Sequence, residues 1–257
     1  MNTSLLFLGT GTSSGVPMIG CNCEVCHSKN LKDKRLRSSV LLRVNSKAFL
    51  IDIGPDFRCQ FLISKLNKID AILLTHEHRD HTAGLDDLRP IYYKHRIPIN
   101  IYLEERVKKS IQSNFSYLFS DISYPGMPKI YLNTISEASF VINGVQVIPI
   151  RVMHKDLPIL GYRIGNVCYI TDANFIDEQE IKKMQNLEVL VINALQQSPH
   201  ISHFHLEQTL YFIDKIKPKK AYLTHLGHAM GLHDKVNPSL PENVYLAYDN
   251  LEINIKI

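Results

Sequence analysis

Short apolar segments, bounded by glycine, proline or polar residues, recur along the chain and have the length and β-branched content of strands. They are residues 4–8, 38–44, 47–53, 71–75, 98–103, 138–142, 145–152, 160–164, 167–171, 188–194, 220–225, 244–248 and 251–256. Two of the connections between them, Asn143-Gly144 and Gly165-Asn166, are typical of tight hairpins. The pattern predicts a protein rich in β-structure.

Apolar residues at helical spacing predict helices between some of these strands. The helices are residues 56–67, 83–94, 104–119, 177–186 and 205–217, and Pro218 ends the last one. The order of elements predicts an α/β (α+β) protein in which two mixed β-sheets are flanked by helices, a four-layer αββα sandwich. No repeat, low-complexity segment or linker divides the chain, so we expect one domain over residues 1–257. Residues 112–136 are the least regular part, and a lid, a subunit contact and a surface loop all remain open there.

Composition narrows the class of protein. The chain is 45% apolar and 21% charged, as in ordinary globular proteins. No apolar segment reaches the ~18 residues that a membrane span requires, and the first residues lack the features of a signal peptide. We therefore expect a cytoplasmic protein without a membrane partner. The net charge of +4 is too small to indicate a dedicated nucleic-acid-binding face. The densest basic run, residues 29–37, is either a solvated loop or a feature that attracts a phosphate-bearing substrate.

The five cysteines are distributed unevenly. Cys21, Cys23 and Cys26 form a Cys-x-Cys-x-x-Cys pattern, and three thiolates this close need a fourth ligand to hold zinc in a tetrahedral site. Cys59 and Cys168 stand alone in apolar segments, and we expect both to be packed core thiols.

Residues 76–81, His-Glu-His-Arg-Asp-His, follow an apolar strand and place four potential metal ligands within six residues. Neutral imidazole and carboxylate suit zinc, manganese and iron alike. Further polar residues interrupt or end apolar strands, where an unpaired charge would be costly. These residues are Asp52, His154, Asp172 and His225. Strand ends that meet at one metal centre would account for all of them.

This pattern resembles the His-x-His-x-Asp-His motif of the metallo-β-lactamase superfamily, and the resemblance extends over the whole chain. It implies the αββα sandwich and two divalent ions in the active site. By motif it assigns His76, His78 and His154 to one ion, Asp80, His81 and His225 to the other, and Asp172 to both. Asp52 would support the site through hydrogen bonds without binding metal.

The segment Gly9–Pro17 and the three cysteines are similar to the phosphodiesterase branch of the superfamily, in particular to PhnP-like cyclic phosphodiesterases. The resemblance implies a structural zinc held by Cys21, Cys23, Cys26 and a late histidine. We expect that histidine to be His228, with His27 and His233 as competitors. His203 would act near the leaving group, either as a proton donor or as a clamp on a phosphate oxygen. His205 is interpreted as a helix-start residue that supports the site.

The implied function is hydrolysis of a small phosphodiester by a metal-bridging hydroxide, with His203 and Asp80 as catalytic residues. A cyclic nucleotide, a cyclic ribose phosphate and a short oligonucleotide are candidate substrates. Neither a stable nucleic-acid partner nor a tRNA-gripping arm is expected, and a homodimer is left open. The alternatives are a thioester or lactone hydrolase of the glyoxalase type and a non-catalytic metal-bound binding module. Exposed tyrosines would either stack on a base or serve in packing: Tyr92, Tyr93, Tyr117 and Tyr124.

Overall fold

The computed structural model describes residues 2–64, 68–119 and 127–256, and within these ranges the strands form two sheets. The strands of the first sheet are β1 (Asn2–Gly9), β2 (Ser39–Val44), β3 (Lys47–Ile51), β4 (Ala71–Leu73), β5 (Ile99–Leu103), β6 (Ile130–Thr134) and β15 (Glu252–Lys256). Those of the second are β7 (Phe140–Ile142), β8 (Val145–His154), β9 (Leu157–Ile164), β10 (Val167–Tyr169), β11 (Phe175–Ile176), β12 (Val189–Asn193), β13 (Lys220–Thr224) and β14 (Val244–Leu246).

The helices of the described ranges are short. The α-helices are α1 (Glu24–His27), α2 (Phe57–Ile63), α3 (Arg79–Thr82), α4 (Arg89–His95), α5 (Glu105–Asn114), α6 (Glu178–Lys182), α7 (Leu206–Ile216) and α8 (His233–Val236). Single turns of 3-10 helix lie at Leu31–Asp33, Leu85–Leu88, Ser116–Leu118, His228–Met230 and Asn237–Ser239. Across these ranges no helix combines the length and apolar character that crossing a membrane would require.

Three apolar layers hold the sandwich together. The middle layer packs the two sheets face to face, with Phe7 and Phe49 from the first sheet and Tyr162 and Val191 from the second. A second layer lies between the first sheet and α2 and α5, and a third lies between the second sheet and α6 and α7. Burial on both faces explains why these strands are continuously apolar in sequence. The predicted αββα sandwich of two mixed sheets is confirmed.

Parallel strand pairs bring the ends of several strands to one edge of the sandwich. In the first sheet β3, β4 and β5 run parallel, and in the second β10, β12 and β13 run parallel. Asp52 follows β3, Asp172 comes soon after β10, and His225 follows β13 directly. The carboxyl ends of parallel strands are the usual place for a ligand site.

The structure differs from the sequence-based expectation at residues 112–136. This segment contains the end of α5 and the strand β6, which pairs with β5 at the end of the sheet. The sequence did not reveal this strand, because β6 is short, lies near the end of the sheet, and alternates only weakly between apolar and polar residues. Residues 120–126 of the segment, including Tyr124, lie outside the described residues, as do residues 65–67 at the end of the predicted helix 56–67.

One expectation about a single residue was also wrong, and one residue of the basic run proves to be buried. Cys59 lies exposed on α2, because it falls on the solvent face of that helix, whereas Cys168 is buried as expected. Arg35, in the basic run, is only 6% exposed, and its guanidinium donates to Thr10 Oγ1 and to the carbonyl of Ala247 at 2.9 and 2.6 Å. Burial lowers the pKa of Arg35 to about 10. Arg35 is therefore a structural residue that ties the loop after α1 to the C-terminal segment.

Candidate metal-binding active site

Three of the strand-end residues adopt a left-handed backbone conformation that residues other than glycine rarely take. The φ angles are 62° at Asp52, 59° at Asp172 and 54° at His225. Each such residue costs on the order of 1 kcal/mol and persists only where the surroundings enforce it. All three are buried. The conformation turns the chain sharply at the end of each strand and aims a polar side chain into the edge where the sheets meet.

Residues 76–81 leave β4 and turn at once into α3, with His78 as the residue before the helix. The helix packs very closely against the segment after β3. The amide of Ile53 donates to the carbonyl of His81 at 2.8 Å. A Cβ on Gly54 would lie 2.1 Å from the carbonyl oxygen of Asp80. Glycine is therefore required at residue 54 for α3 to dock and present its ligands.

The predicted metal ligands come together in two adjoining groups. The ligand atoms of His76, His78 and His154 lie within 4.8 Å of one another, and so do those of Asp80, His81, Asp172 and His225. Asp172 lies centrally, because its Oδ1 is 3.3 Å from His81 Nε2 and 3.1 Å from His225 Nδ1. The structure thus brings together every residue that the sequence assigned to the two ions, although their roles as ligands stay predictions.

The ring nitrogens that face away from this cluster are held by hydrogen bonds. His81 Nδ1 donates to Asp52 Oδ2 at 2.7 Å, and His76 Nδ1 donates to Thr75 Oγ1 at 2.9 Å. The Thr75 hydroxyl in turn donates to Asp52 Oδ2, and the Thr75 amide donates to Asp52 Oδ1, both at 2.9 Å. On the other side His154 Nδ1 donates to the carbonyl of Ser202 at 2.8 Å. Such outer partners fix the tautomer and orientation of metal-binding histidines.

Two of the ring nitrogens that face the cluster lack such partners. His76 Nε2 and His81 Nε2 are buried without an aligned hydrogen bond, although Asp80 Oδ2 lies 3.1 Å from His81 Nε2. Buried polar atoms are almost always satisfied, so an unsatisfied pair at the centre of a ligand cluster calls for a further partner. A divalent cation supplies one, and the residues present therefore fit the metal ions that the fold implies.

The charges of the site lead to the same conclusion. Burial lowers the pKa of His76, His78 and His225, which keeps these imidazoles neutral, as metal binding requires. Although burial opposes it, the pKa of His81 is raised well above its usual range by Asp172, Asp80 and Asp52. Buried carboxylates converge here, and a divalent cation beside them would offset the cost of burying their charge.

His203 lies beside the ligand cluster, as the sequence predicted. Its ring centroid is 4.6 Å from that of His154 and 4.9 Å from that of His225, and its Nδ1 is 3.9 Å from Asp172 Oδ2. This Nδ1 is also buried without a hydrogen bond. Burial and the neighbouring histidines, His225 first, lower the pKa of His203 to about 3. The imidazole is therefore neutral and aimed at the site, whereas its catalytic role stays a prediction.

His205 precedes α7, as expected of a helix-start residue. Its Nδ1 lies 2.7 Å from Gln208 Oε1, and its amide donates to the same oxygen at 3.4 Å. These contacts order the beginning of the helix that follows His203. A direct supporting role for His205 in metal binding stays a prediction.

The three clustered cysteines lie with His228 in a second group, whose ligand atoms are also within 4.8 Å of one another. His228 Nδ1 is 3.2 Å from Cys21 Sγ and 3.4 Å from Cys23 Sγ. The hydrogen bond from the Cys26 amide and the contact with His228 lower the pKa of Cys23 to about 6, which favours the thiolate. Of the competing histidines, His27 is exposed at the end of α1, and the His233 ring packs edge-on against Tyr248.

Sequence reasoning missed two residues that contact the site. Thr12 Oγ1 lies 3.3 Å from His225 Nε2, so the N-terminal loop reaches the candidate metal centre directly. Asn174 bonds two loops that carry candidate site residues. Neither residue type is distinctive in sequence. For the tyrosines, Arg96 lies over Tyr93 and Arg89 over Tyr117, and stacking on a substrate base stays a prediction for all of them.

The fold and the clustered histidines and aspartates are those of the metallo-β-lactamase superfamily, and this fold implies divalent metal ions. Residues 47–226 match the family model described as the beta-lactamase superfamily domain, and the chain belongs to this family. A crystal structure described as a new diphosphatase from the PhnP family is 35% identical, with a TM-score of 0.93 over 99% of this chain and 98% of that chain. The predicted resemblance to the superfamily and to its PhnP-like branch is confirmed.

Curated relatives differ in their names. An octanoyltransferase of Porphyromonas gingivalis is 41% identical over 250 residues, which cover 96% of this chain and 50% of that protein. A ribonuclease Z of Bacillus subtilis is 28% identical over 166 residues, 60% of this chain and 50% of that protein. The chain therefore spans about half the length of the curated relatives it matches. A solved structure of Zn(2+)-bound PqqB from Methylobacterium extorquens is 18% identical, with a TM-score of 0.79 over 98% of this chain and 100% of that chain, and shows the shared fold.

Proposed function

We propose that the protein is a binuclear metal-dependent phosphodiesterase that acts on a small phosphodiester. The central position of Asp172 carries the proposal, since one carboxylate lies beside His81 and His225 of one group and also within 4.8 Å of the ligand atom of His154 in the other. A carboxylate shared between two ligand groups suits a pair of hard divalent ions. The similarity to a PhnP-family diphosphatase over almost the full length supports chemistry at phosphorus.

The seven ligands divide into the two groups that the geometry suggests. His76, His78 and His154 would hold one ion, Asp80, His81 and His225 the other, and Asp172 would contact both. When bound, two such ions acidify a water nucleophile and neutralise the negative charge of phosphoryl oxygens. Zinc, manganese and iron all fit this donor set.

The protein's own groups would orient the substrate and move a proton. His203 lies beside both ligand groups, and its ligand atom is within 4.8 Å of those of His154 and Asp172, although the motif assigns it to neither ion. We assign it the role of proton donor to the leaving oxygen. Its neutral ring would gain a proton when a phosphodiester anion binds beside it, because an adjacent negative charge raises the pKa of an imidazole.

Cys21, Cys23, Cys26 and His228 would hold a structural zinc. Three thiolates and one imidazole complete a tetrahedral set and leave no open position for catalysis. His228 lies three residues after His225, so this zinc would fasten the N-terminal loop to the chain that carries a catalytic ligand.

The test measures hydrolysis of bis(p-nitrophenyl) phosphate, 2′,3′-cyclic nucleotides and linear dinucleotides, together with metal content. Both His76→Ala and Asp172→Ala should abolish turnover while the fold, followed by circular dichroism, is retained. His27→Ala changes an exposed histidine outside both ligand groups and serves as the matched control. Activity that survives either site substitution, or a wild-type protein that hydrolyses none of these esters, contradicts the proposal.

Thioester hydrolysis is the second candidate, and the similarity to the octanoyltransferase favours it. The same metal centre could polarise an acyl carbonyl. An octanoyl thioester should therefore be assayed beside the phosphodiesters. A preference for the thioester, in kcat/KM, would replace the first proposal by the second.

A further inference from the structure

We propose that Asn174 is a positioning residue that holds His203 in place beside the candidate metal centre. The inference rests on the proposed function, because it concerns the group assigned as proton donor. Asn174 follows Asp172 by two residues and precedes β11, and nothing in its sequence context marks it as functional.

The side-chain amide of Asn174 forms hydrogen bonds with two different loops. Its Oδ1 accepts a hydrogen bond from the amide of Lys155 at 2.8 Å, and its Nδ2 donates to the carbonyl of Ile201 at 3.0 Å. Its own amide donates to the carbonyl of Met153 at 2.8 Å. The backbone of Asn174 is therefore bonded to β8, and its side chain reaches the loop that carries His203.

The tip of that loop has little apolar packing, whereas its base is held by Phe204, which is buried and whose amide donates to the carbonyl of Ala173 at 2.7 Å. Ile201 is 76% exposed, and residues 195–204 contain no regular helix or strand. Backbone bonds close the base of the loop, where Leu195 donates to Phe204 at 2.9 Å. At its tip, the position depends on polar contacts to two consecutive carbonyls, those of Ile201 and Ser202.

The carbonyl of Ser202 accepts from His154, and the carbonyl of Ile201 accepts from Asn174. Both anchors come from the same region, since Lys155 follows His154 in the turn between β8 and β9. Lys155 has a φ of 56°, so the turn is strained and benefits from the bond to Asn174. One side chain thus links the turn after a metal ligand to the loop of the proton donor.

Only a carboxamide presents an acceptor and a donor from one planar group of this size. In Asn174→Asp, one oxygen still accepts from Lys155, whereas the other faces the carbonyl oxygen of Ile201 and repels it. The substitution therefore releases the His203 loop and leaves the His154 turn held. Asn174→Ala releases both.

The experiment compares two phosphodiesters that differ in the leaving group. A proton donor matters greatly for an alkoxide, as in a 2′,3′-cyclic nucleotide, and little for p-nitrophenolate, which is stable as an anion. We expect Asn174→Asp to lower kcat about 10- to 100-fold on the cyclic nucleotide and less than about threefold on bis(p-nitrophenyl) phosphate. KM and metal content should remain at wild-type values. His203→Ala should show the same selectivity with a larger loss.

Asn114→Asp makes the same chemical change at an exposed residue at the end of α5 and is the matched control. Equal losses on both esters, or no loss on either, would overturn the assignment of Asn174. A second readout is independent of turnover: in the metal-loaded protein, the imidazole NMR signals of His203 should shift in Asn174→Asp and not in Asn114→Asp. Unchanged His203 signals overturn the inference even if the protein proves to hydrolyse no phosphodiester, an outcome that would refute only the proposed function.

Discussion

Replacing Asp52 with asparagine exchanges one oxygen for an NH2 group in the hydrogen-bond chain that orients two candidate metal ligands. Asp52 Oδ1 accepts from the Thr75 amide, which requires an oxygen there, so the new NH2 must take the place of Oδ2. Oδ2 accepts from His81 Nδ1 and from the Thr75 hydroxyl, which in turn accepts from His76 Nδ1. Asparagine tolerates the left-handed conformation of residue 52, so the backbone is not an added source of strain.

The substitution should reverse the direction of these hydrogen bonds. The NH2 group can donate to Thr75 Oγ1 and to His81 Nδ1, and the Thr75 hydroxyl then donates to His76 Nδ1. Each imidazole would then carry its proton on Nε2, the nitrogen that faces the metal cluster, where a proton excludes the ion. Loss of such outer partners weakens metal binding about 10- to 100-fold, which corresponds to roughly 1.4–2.7 kcal/mol.

Stability of the metal-free protein should change less. A hydrogen bond to a charged group contributes about 1.5–3 kcal/mol, so its loss is destabilising. Burial, however, raises the pKa of Asp52, which shows that the ionised carboxylate is costly in this position. A neutral amide removes that cost and offsets part of the loss. We therefore expect a decrease in the free energy of unfolding of no more than about 2 kcal/mol.

The two effects are separated by two measurements on Asp52→Asn. Calorimetric titration of zinc or manganese into the chelator-treated protein gives the affinity of each ion, and urea unfolding in excess chelator gives the stability. Asp177→Asn is the control, because Asp177 caps α6, belongs to neither ligand group, and asparagine caps a helix equally well. Ion affinities within twofold of the wild type would refute the reasoning, as would a loss of affinity fully explained by unfolding.

Three further predictions concern other parts of the fold. Cys21→Ser should remove one zinc per chain and lower the melting temperature by about 5 °C or more, whereas Cys59→Ser, at an exposed cysteine, should change neither. Gly54→Ala should lower stability by about 1–3 kcal/mol in urea unfolding and weaken metal binding, because its Cβ would collide with the carbonyl of Asp80. Burial raises the pKa of Asp249 from 3.8 to about 6, so the folded state retains its proton longer than the unfolded state. The wild type should therefore lose stability relative to Asp249→Asn as pH rises from about 4 to 6, by on the order of 3 kcal/mol, and a difference that is independent of pH would contradict this.

The ligand groups could be predicted because their chemistry is local in sequence. The composition of residues 76–81 alone predicts a metal site. His225 and Asp172 are recognisable as polar residues at the ends of apolar strands. Strand order, which brings these ends to one edge, follows from the parallel pairing of strands that helices or long segments connect. These features depend on residue type and on periodicity of apolar positions, which a sequence displays directly.

The supporting contacts could not be predicted, because they depend on distances between loops. Asn174 and Thr12 are ordinary polar residues whose partners lie 27 and 213 positions away in the chain. Cys59 was assigned to the core because its neighbours are apolar, yet a helix exposes one face even in an apolar segment. Such errors arise where three-dimensional packing, and not residue type, decides the environment.

The candidate active site and the cysteine cluster with His228 are connected through a few residues of continuous structure, so the proposed structural zinc would influence catalysis. His225 and His228 flank Leu226, whose amide donates to the carbonyl of Thr10 at 2.8 Å and whose carbonyl accepts from the amide of Thr12 at 3.2 Å. Thr12 also contacts His225 through its hydroxyl. Because the cysteines belong to the same N-terminal segment, loss of the zinc would loosen the loop that orients a catalytic ligand. The proposed zinc site and the candidate active site would therefore move together, and only the active site would take part in the chemistry.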